Sequence, residues 1–200
     1  MRVHVLKRCK ELPGVTKSEI DSKKRLLAEC IHHIEKDTGA KYPPVIVSPC
    51  LFFSQKAGKI FFGGAATAPL EIQDKTILIV IVTLPTLLHF DKDVILGILA
   101  EEFLHYTYFI ASWIKGKPPP PEDKDKQHKP QLWFKNPHII KCYHKAQKQK
   151  QTPQQFLKIK QDWQRKGGPI SNGTELKLQR IDKLFIPRDI QRKLTQKKLI

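Results

Sequence analysis

The sequence has few cysteines, and none are spaced for a shared metal or a compact disulfide framework. Its 200 residues contain 4 cysteines, at positions 9, 30, 50 and 142, without a C-x-x-C pair. This pattern argues against a zinc ribbon and against a small disulfide-stabilised secreted domain. We therefore expect a cytoplasmic protein with reduced thiols.

An apolar run at the beginning of the chain and internal repeats are also missing. The opening residues, "MRVHVLKRCKELPG", are basic but lack the apolar region of a secretory signal. Residues 94–114 are long enough to span a bilayer, yet the adjacent Glu101 and Glu102 would cost roughly 5 to 7 kcal/mol on an insertion scale. We therefore predict no membrane span.

Charge divides the chain into two unlike parts. With 40% hydrophobic and 28% charged residues, the composition is that of a globular protein. Residues 1–116 carry 15 lysines and arginines against 12 aspartates and glutamates, whereas residues 117–200 carry 21 against 7. The boundary lies in "KGKPPPPEDKDKQHKP", which is typical of a solvated loop. We predict two domains, 1–116 and 117–200, the second being a basic and mainly helical extension.

Hydrophobic periodicity predicts an α+β arrangement for the first domain. Residues 17–38 place apolar side chains at helical spacing, and Gly39 follows as a typical stop. Short apolar runs bounded by proline and glycine come next, in "PPVIVSPCLFF" and "KIFFGGAATAPLEI". The continuous β-branched run "TILIVIVTL" is typical of an interior strand. We expect a helix, a small β-sheet and then a buried helix.

That buried helix carries apolar residues from Val94 to Ile114. Asp91 or Asp93 can cap its beginning, and Gly116 can close it. Within it, "LAEEFLHYTY" introduces three ionisable side chains into an apolar stretch. Such residues require a structural or functional reason, because carboxylates are rarely buried without a partner.

The three ionisable side chains are Glu101, Glu102 and His105. Glu101 and His105 are four residues apart and share one face of the helix. Glu102 is rotated by about 100° from Glu101 around the helix axis. Gly97 precedes Glu101 by one turn on the same face. We expect the missing side chain at Gly97 to leave room beside the pair.

The segment "ILAEEFLHY" resembles the active-site helix of zincin metallopeptidases, whose pattern is H-E-x-x-H. The resemblance extends over roughly residues 17–116 and implies a zincin-like fold with a zinc cofactor. It implies that His105 is a zinc ligand and that Glu102 is the general base. Glu101 stands where the family has its first histidine, and a carboxylate can bind zinc at similar distances.

A catalytic zinc site needs a third protein ligand, which this family takes from further downstream. His128 is the first choice on ligand chemistry, and Asp125 is the next. The remaining acidic and histidine residues of the loop and its continuation stay open as alternatives: Glu122, Asp123, His138 and His144. The implied function is a peptidase-like hydrolase of peptide or protein substrates, or its catalytically inactive derivative.

Three other arrangements are compatible with these residues. Glu101 and His105 can satisfy each other without a metal through a charge-assisted hydrogen bond. The repeated E-x-x-H spacing, at Glu29 and Glu102, also occurs in ferritin-like di-iron bundles, although the β-branched runs argue against four long helices. A group formed by the side chains of residues 138, 142 and 144 offers mixed nitrogen and sulfur ligands.

The basic second domain supports an alternative function from another class. Phe156, Ile159 and Trp163 lie at helical spacing among lysines and glutamines. A positive surface of this density is expected of a nucleic-acid-binding protein. No helix-turn-helix, RNP or K-homology signature accompanies it, so we expect any binding to be non-enzymatic and independent of nucleotide sequence.

Overall fold

The computed structural model describes residues 3–56, 59–117, 129–148, 153–172 and 184–200, which form a mixed α+β fold. The strands are β1 (Val3–Val5), β2 (Val45–Ser48), β3 (Leu51–Lys56), β4 (Lys59–Gly63), β5 (Ala65–Ile72), β6 (Lys75–Thr83) and β7 (Ile170–Asn172). The helices are α1 (Lys7–Lys10), α2 (Lys17–Thr38), α3 (Leu84–His89), α4 (Lys92–Ile114), α5 (Pro137–Lys148), α6 (Pro153–Arg165) and α7 (Arg188–Gln196). The α+β class expected from the sequence is confirmed at this level.

The larger sheet has four strands in the order β1-β2-β6-β5. β1, β2 and β6 run parallel, and β5 pairs antiparallel with β6 at the edge. The prediction that "TILIVIVTL" forms an interior strand is confirmed, since β6 is paired on both sides and largely buried. It ends at Thr83, whose side chain caps the following α3 by accepting from the Thr86 N–H.

The smaller sheet has the order β4-β3-β7. β3 and β4 form an antiparallel hairpin, and β7 pairs parallel with β3, so that Leu51 lies opposite Ile170. The sequence pattern missed β7, and it treated "PPVIVSPCLFF" as one run although β2 and β3 belong to different sheets. The break comes at Pro49, which cannot donate to a strand ladder.

Helix α2 begins and ends where its sequence predicts. Thr16 and Glu19 form a capping box, in which the Glu19 N–H donates to Thr16 Oγ1 at 3.2 Å and the Thr16 N–H donates to Glu19 Oε2 at 2.7 Å. Gly39 ends the helix with a left-handed φ of 64°, a conformation that glycine adopts without strain. The apolar face of α2 is buried, as the periodicity indicated.

Helix α4 is apolar, and many of its residues belong to the hydrophobic core. Asp91 caps it, accepting from the Val94 N–H at 2.9 Å. The Tyr42 hydroxyl donates to the Leu99 carbonyl oxygen at 2.8 Å, which ties the connection between α2 and β2 to this helix. By length and composition α4 could cross a membrane, but 72% of its most apolar window is buried inside the protein, as in a core helix.

The hydrophobic core continues into the predicted second domain. Trp133, Trp163, Ile190 and Leu194 are at most 2% exposed and belong to the same apolar cluster as α4 and β6. Three helices of this part, α5, α6 and α7, contact α4 or α3. The division at residue 116 stays a prediction from charge and composition.

Candidate functional site

Of the ionisable side chains predicted on α4, Glu102 lies where this helix packs against the edge strand β5. Glu102 is buried, with 7% of its surface exposed. Glu101 and His105 retain 22% and 25% of their side-chain surface, so they are reached by solvent from the rim of the packed region. A buried carboxylate on an apolar helix requires polar partners.

Strand β5 supplies such a partner for Glu102. The Thr67 hydroxyl lies 2.8 Å from Glu102 Oε2 and 3.1 Å from the Glu102 carbonyl oxygen, within donating distance of both. This contact directs the Glu102 side chain towards the edge strand. Burial, and then the negative charge of Glu102, raise the pKa of the Tyr42 hydroxyl well above its usual range. Tyr42 is therefore a neutral phenol at neutral pH, and its hydroxyl donates to the Leu99 carbonyl oxygen.

Glu101 and His105 form the pair that their spacing predicts. The distance between Glu101 Oε1 and His105 Nε2 is 3.9 Å. Oxygen and nitrogen ligands at about 2.0–2.1 Å from a tetrahedral zinc ion are separated by about 3.4 Å. The two side chains therefore fit a shared ion after a small adjustment, and they also fit the metal-free ion pair.

The third ligand expected from the sequence, His128, lies outside the described residues, as do Asp125, Glu122 and Asp123. The description resumes at Lys129, whose N–H is 3.5 Å from the Tyr108 hydroxyl. Tyr108 follows His105 by about one turn on α4. The residue after His128 is thus placed beside the helix that carries the predicted ligands.

Glu29 and His32 do not join Glu102 in a second E-x-x-H site. Glu29 is half exposed and forms ion pairs with Lys92 and with His33, the latter at 3.8 Å. His32 and His33 are exposed on the surface of α2, as expected from the sequence. The mixed α+β fold is also incompatible with the four-helix bundle that the di-iron alternative requires.

Gly97 has a different role from the one its position suggested. A side chain at Gly97 would place its Cβ 2.1 Å from the Cys142 carbonyl oxygen and 2.8 Å from the Ala146 Cβ, both on α5. The space beside Gly97 is therefore filled by α5 and does not form part of a pocket next to Glu101. Close approach of two helices requires a residue without a side chain at this point.

A group of metal-ligating side chains that the sequence did not predict in this form lies at the same contact of α4 with α5. Among the described residues, one group of at least three such side chains has ligand atoms within 4.8 Å of one another, and it consists of Asp93, His138 and Cys142. His144 is not part of it and instead contacts the Tyr143 ring. Spacing along the sequence does not indicate Asp93, because it is distant from His138 and Cys142 and stands at a position typical of a helix cap.

Cys142 is the buried member of this group, with 1% of its surface exposed. Burial, followed by the negative charge of Asp93, raises the pKa of the Cys142 thiol to about 11. The thiol is therefore protonated at neutral pH, and a metal ion would have to displace this proton.

An open cavity of about 890 Å³ lies on another part of the molecule, between β1 and α2. Lys17, Asp21, Lys24 and Arg25 of α2 contribute to its lining. It includes none of the ionisable residues of α4, so it does not extend the candidate site.

The geometry thus provides a buried carboxylate held by a threonine hydroxyl, an adjacent glutamate–histidine pair and a separate group of three side chains. Comparisons of the chain with protein-family models, curated proteins and solved structures gave no match. The resemblance to zincin metallopeptidases accordingly depends on the residues of α4 themselves.

Proposed function

We propose that the protein is a zincin-like, zinc-dependent hydrolase of peptides, with its site on α4. The observation that carries the proposal is the buried Glu102 carboxylate, held by the Thr67 hydroxyl at 2.8 Å beside the pair of Glu101 and His105. A general base next to adjacent ligands is what metal-assisted hydrolysis of a peptide bond requires. The same arrangement without turnover would be an inactive derivative of such an enzyme.

Glu101 and His105 would hold the zinc ion from α4, and His128 would complete the set of three protein ligands. The position of Lys129 beside Tyr108 supports His128, because the two residues are consecutive. When bound, the ion supplies Lewis acidity and lowers the pKa of water towards neutrality. Glu101 offsets part of the metal charge, so this effect is weaker than with a histidine in its place.

Glu102 would accept the proton of the attacking water and pass it to the leaving amine. Its position suits this role, since Thr67 fixes one carboxylate oxygen and the two ligand residues lie on the adjoining face of α4. Tyr42 stays neutral and donates to a backbone carbonyl, so it does not compete for this proton.

The edge strand β5 would bind the substrate. Among the described strands β5 pairs with β6 alone, so its other side can pair with an extended peptide. Thr67 lies on this strand and contacts Glu102. Pro69 also lies on it, and proline is tolerated on edge strands because the missing N–H is not needed for a central ladder. A peptide paired with β5 would therefore pass next to the general base.

We expect His105→Ala to lower the zinc content of the purified protein by about one equivalent per chain, because a site with two protein ligands holds zinc poorly. The measurement is elemental analysis of protein purified without chelator, before and after incubation with zinc. His33→Ala is the matched control, since His33 is an exposed histidine on α2. Glu101→His should bind zinc more tightly than wild type.

Two results would contradict the proposed site. The first is an equal zinc content in wild type and His105→Ala after zinc has been supplied. The second is a Glu101→His variant that binds zinc no more tightly than wild type, which would show that this face of α4 does not hold a metal. In either case the metal-free pair of Glu101 and His105 would account for the observed geometry.

A second candidate function, sequence-independent binding of nucleic acid, is favoured by the exposed lysines of α5 and α6. Lys141, Lys148 and Lys158 are all exposed to solvent. Lys145 is different, because its ammonium group pairs with Asp91 at 3.0 Å and Asp93 at 3.7 Å. Any test of this surface should therefore leave Lys145 unchanged.

Binding to single-stranded or double-stranded nucleic acid is expected to weaken roughly a thousandfold between 50 and 200 mM salt if about six phosphates are neutralised. The combined variant Lys141→Glu, Lys148→Glu and Lys158→Glu should reduce the slope of affinity against salt. Fluorescence anisotropy with labelled oligonucleotides measures both effects.

The matched control reverses three exposed basic residues of the first domain, Arg8, Lys10 and Arg25. It should leave the salt slope unchanged. No affinity at low salt, or equal slopes for both triple variants and wild type, would rule out a nucleic-acid surface on α5 and α6.

A further inference from the structure

A second set of possible metal ligands converges where the first turn of α4 meets α5. His138 Nε2 lies 3.7 Å from Asp93 Oδ1 and 3.6 Å from Cys142 Sγ. His138 and Cys142 are one turn apart on one face of α5, and Asp93 approaches from α4. The three ligand atoms therefore surround one point from two helices.

The two separations that involve His138 agree with those that a tetrahedral zinc ion imposes on its ligands, and the ligand atoms of Asp93 and Cys142 lie within 4.8 Å of each other. With bonds of about 2.3 Å to sulfur and 2.0–2.1 Å to nitrogen and oxygen, the sulfur and nitrogen are about 3.6 Å apart and the nitrogen and oxygen about 3.4 Å apart. The observed 3.6 and 3.7 Å require little adjustment. These distances come closer to the ideal values than the separation of Glu101 and His105.

The surrounding structure fixes each of the three ligands. The Asn136 side chain accepts from the His138 N–H at 2.9 Å and so sets the beginning of α5. The Lys145 ammonium contacts Asp93 Oδ2, whereas Oδ1 faces His138. Gly97 allows the backbone of Cys142 to approach α4. Such supporting contacts orient ligands and tune the affinity of metal sites.

Solvent can reach the group from one side. The side chains of His138 and Asp93 are 56% and 46% exposed, whereas Cys142 is buried beneath them. An ion can therefore enter from the surface, and water can occupy the remaining coordination position.

We propose that Asp93, His138 and Cys142 bind one zinc ion that fastens α5 to the beginning of α4. A thiolate with an imidazole selects zinc over magnesium or calcium, which prefer oxygen ligands. Binding replaces the thiol proton of Cys142, which passes to solvent. The site is distinct from the one on Glu101 and His105, because Asp93 precedes Glu101 by about 12 Å along the helix.

Cobalt(II) titration of the full-length protein tests this site directly, since a cobalt–thiolate bond gives a charge-transfer absorption that nitrogen and oxygen ligands do not. We expect the amplitude of this band to correspond to one thiolate-bound cobalt per chain, in addition to any cobalt held by Glu101 and His105, and the band to disappear when zinc is added. His138→Ala should weaken cobalt binding by at least about a hundredfold, because two ligands remain. Cys142→Ser should abolish the band.

Two control variants test whether the cobalt–thiolate band arises from the group of Asp93, His138 and Cys142. His144→Ala removes an exposed histidine from the same helix and should leave the band unchanged. His105→Ala removes the ligand of the other proposed site and should also leave it unchanged, so failure of one site is distinguishable from failure of the other. Absence of the band in wild type, or its persistence in His138→Ala at wild-type affinity, would overturn the proposal.

Thermal unfolding gives a second readout that does not depend on cobalt. Zinc at about a hundred times its dissociation constant should raise the Tm of wild type by roughly 5 to 10 °C, because it binds the folded state. His138 is exposed, so His138→Ala should fold normally and show a clearly smaller rise. An equal rise in both proteins would show that zinc does not act through this group.

Discussion

Glu102→Gln is expected to reduce peptide hydrolysis by about a thousandfold while the zinc content stays the same. The loss follows from removal of the proposed general base, a role that contributes roughly a hundredfold to ten-thousandfold to rates. Glutamine keeps the size of the side chain and can still accept from the Thr67 hydroxyl, so the fold should be preserved. The measurement combines zinc-loaded protein, a mixture of quenched fluorescent peptides and elemental analysis of both proteins.

Thr67→Val is the informative partner of that variant. It removes the hydroxyl that holds Glu102 but keeps the shape of the side chain, so turnover should fall only about tenfold, the equivalent of one hydrogen bond. Turnover that survives Glu102→Gln would exclude Glu102 as the base. A wild type that holds zinc but hydrolyses none of the peptides would identify the protein as the inactive derivative.

Gly97→Ala is expected to destabilise the protein by roughly 3 kcal/mol, at the upper end of the costs of overpacking. Helix propensity alone predicts the opposite sign, a gain of about 1 kcal/mol for alanine over glycine. The added Cβ would lie 2.1 Å from the Cys142 carbonyl oxygen, and a backbone atom cannot move without displacing α5. Urea unfolding followed by circular dichroism measures the difference.

A second variant shows which atom of α5 clashes with the added Cβ. The Ala146 Cβ also lies within 2.8 Å of the position of the added atom, so Ala146→Gly would relieve the clash if that side chain were its cause. We expect the double variant to recover little stability, because the carbonyl contact remains. Gly97→Ala at wild-type stability would mean that α5 does not pack against α4 this closely. The destabilised variant should also bind cobalt weakly, since displacement of α5 moves Cys142.

Elements whose signals are local could be predicted from the sequence. The limits of α2 followed from the helical spacing of its apolar residues and from Gly39, and α4 followed from its apolar length and the capping position of Asp91 or Asp93. The interior position of β6 followed from a continuous β-branched run. The proximity of Glu101 and His105 also followed, because helical geometry alone brings residues four apart together.

Elements that depend on distant parts of the chain could not be predicted in this way. β1 and β7 have three residues each, and each becomes a strand because a neighbour pairs with it. Gly97 allows the close approach of α5, and Asp93 lies beside His138 and Cys142 of α5. Neither role can be read from the sequence, because α5 is distant along the chain. The contact between Thr67 and Glu102 likewise joins β5 to α4. No spacing rule along the sequence predicts that these two elements pack against each other.

The parallel pairing of β3 with β7 has a consequence for the nascent chain. At about 5–20 residues per second, a ribosome needs roughly 3 to 11 s to extend the chain from residue 117 to residue 172. During that interval β3 has no partner on its β7 side, and until α5 has been synthesised the face of α4 that receives it is exposed. Unpaired strand edges and exposed apolar helices are the surfaces that chaperones bind and that drive aggregation. The protein is therefore expected to need protection by chaperones until its last third has been synthesised.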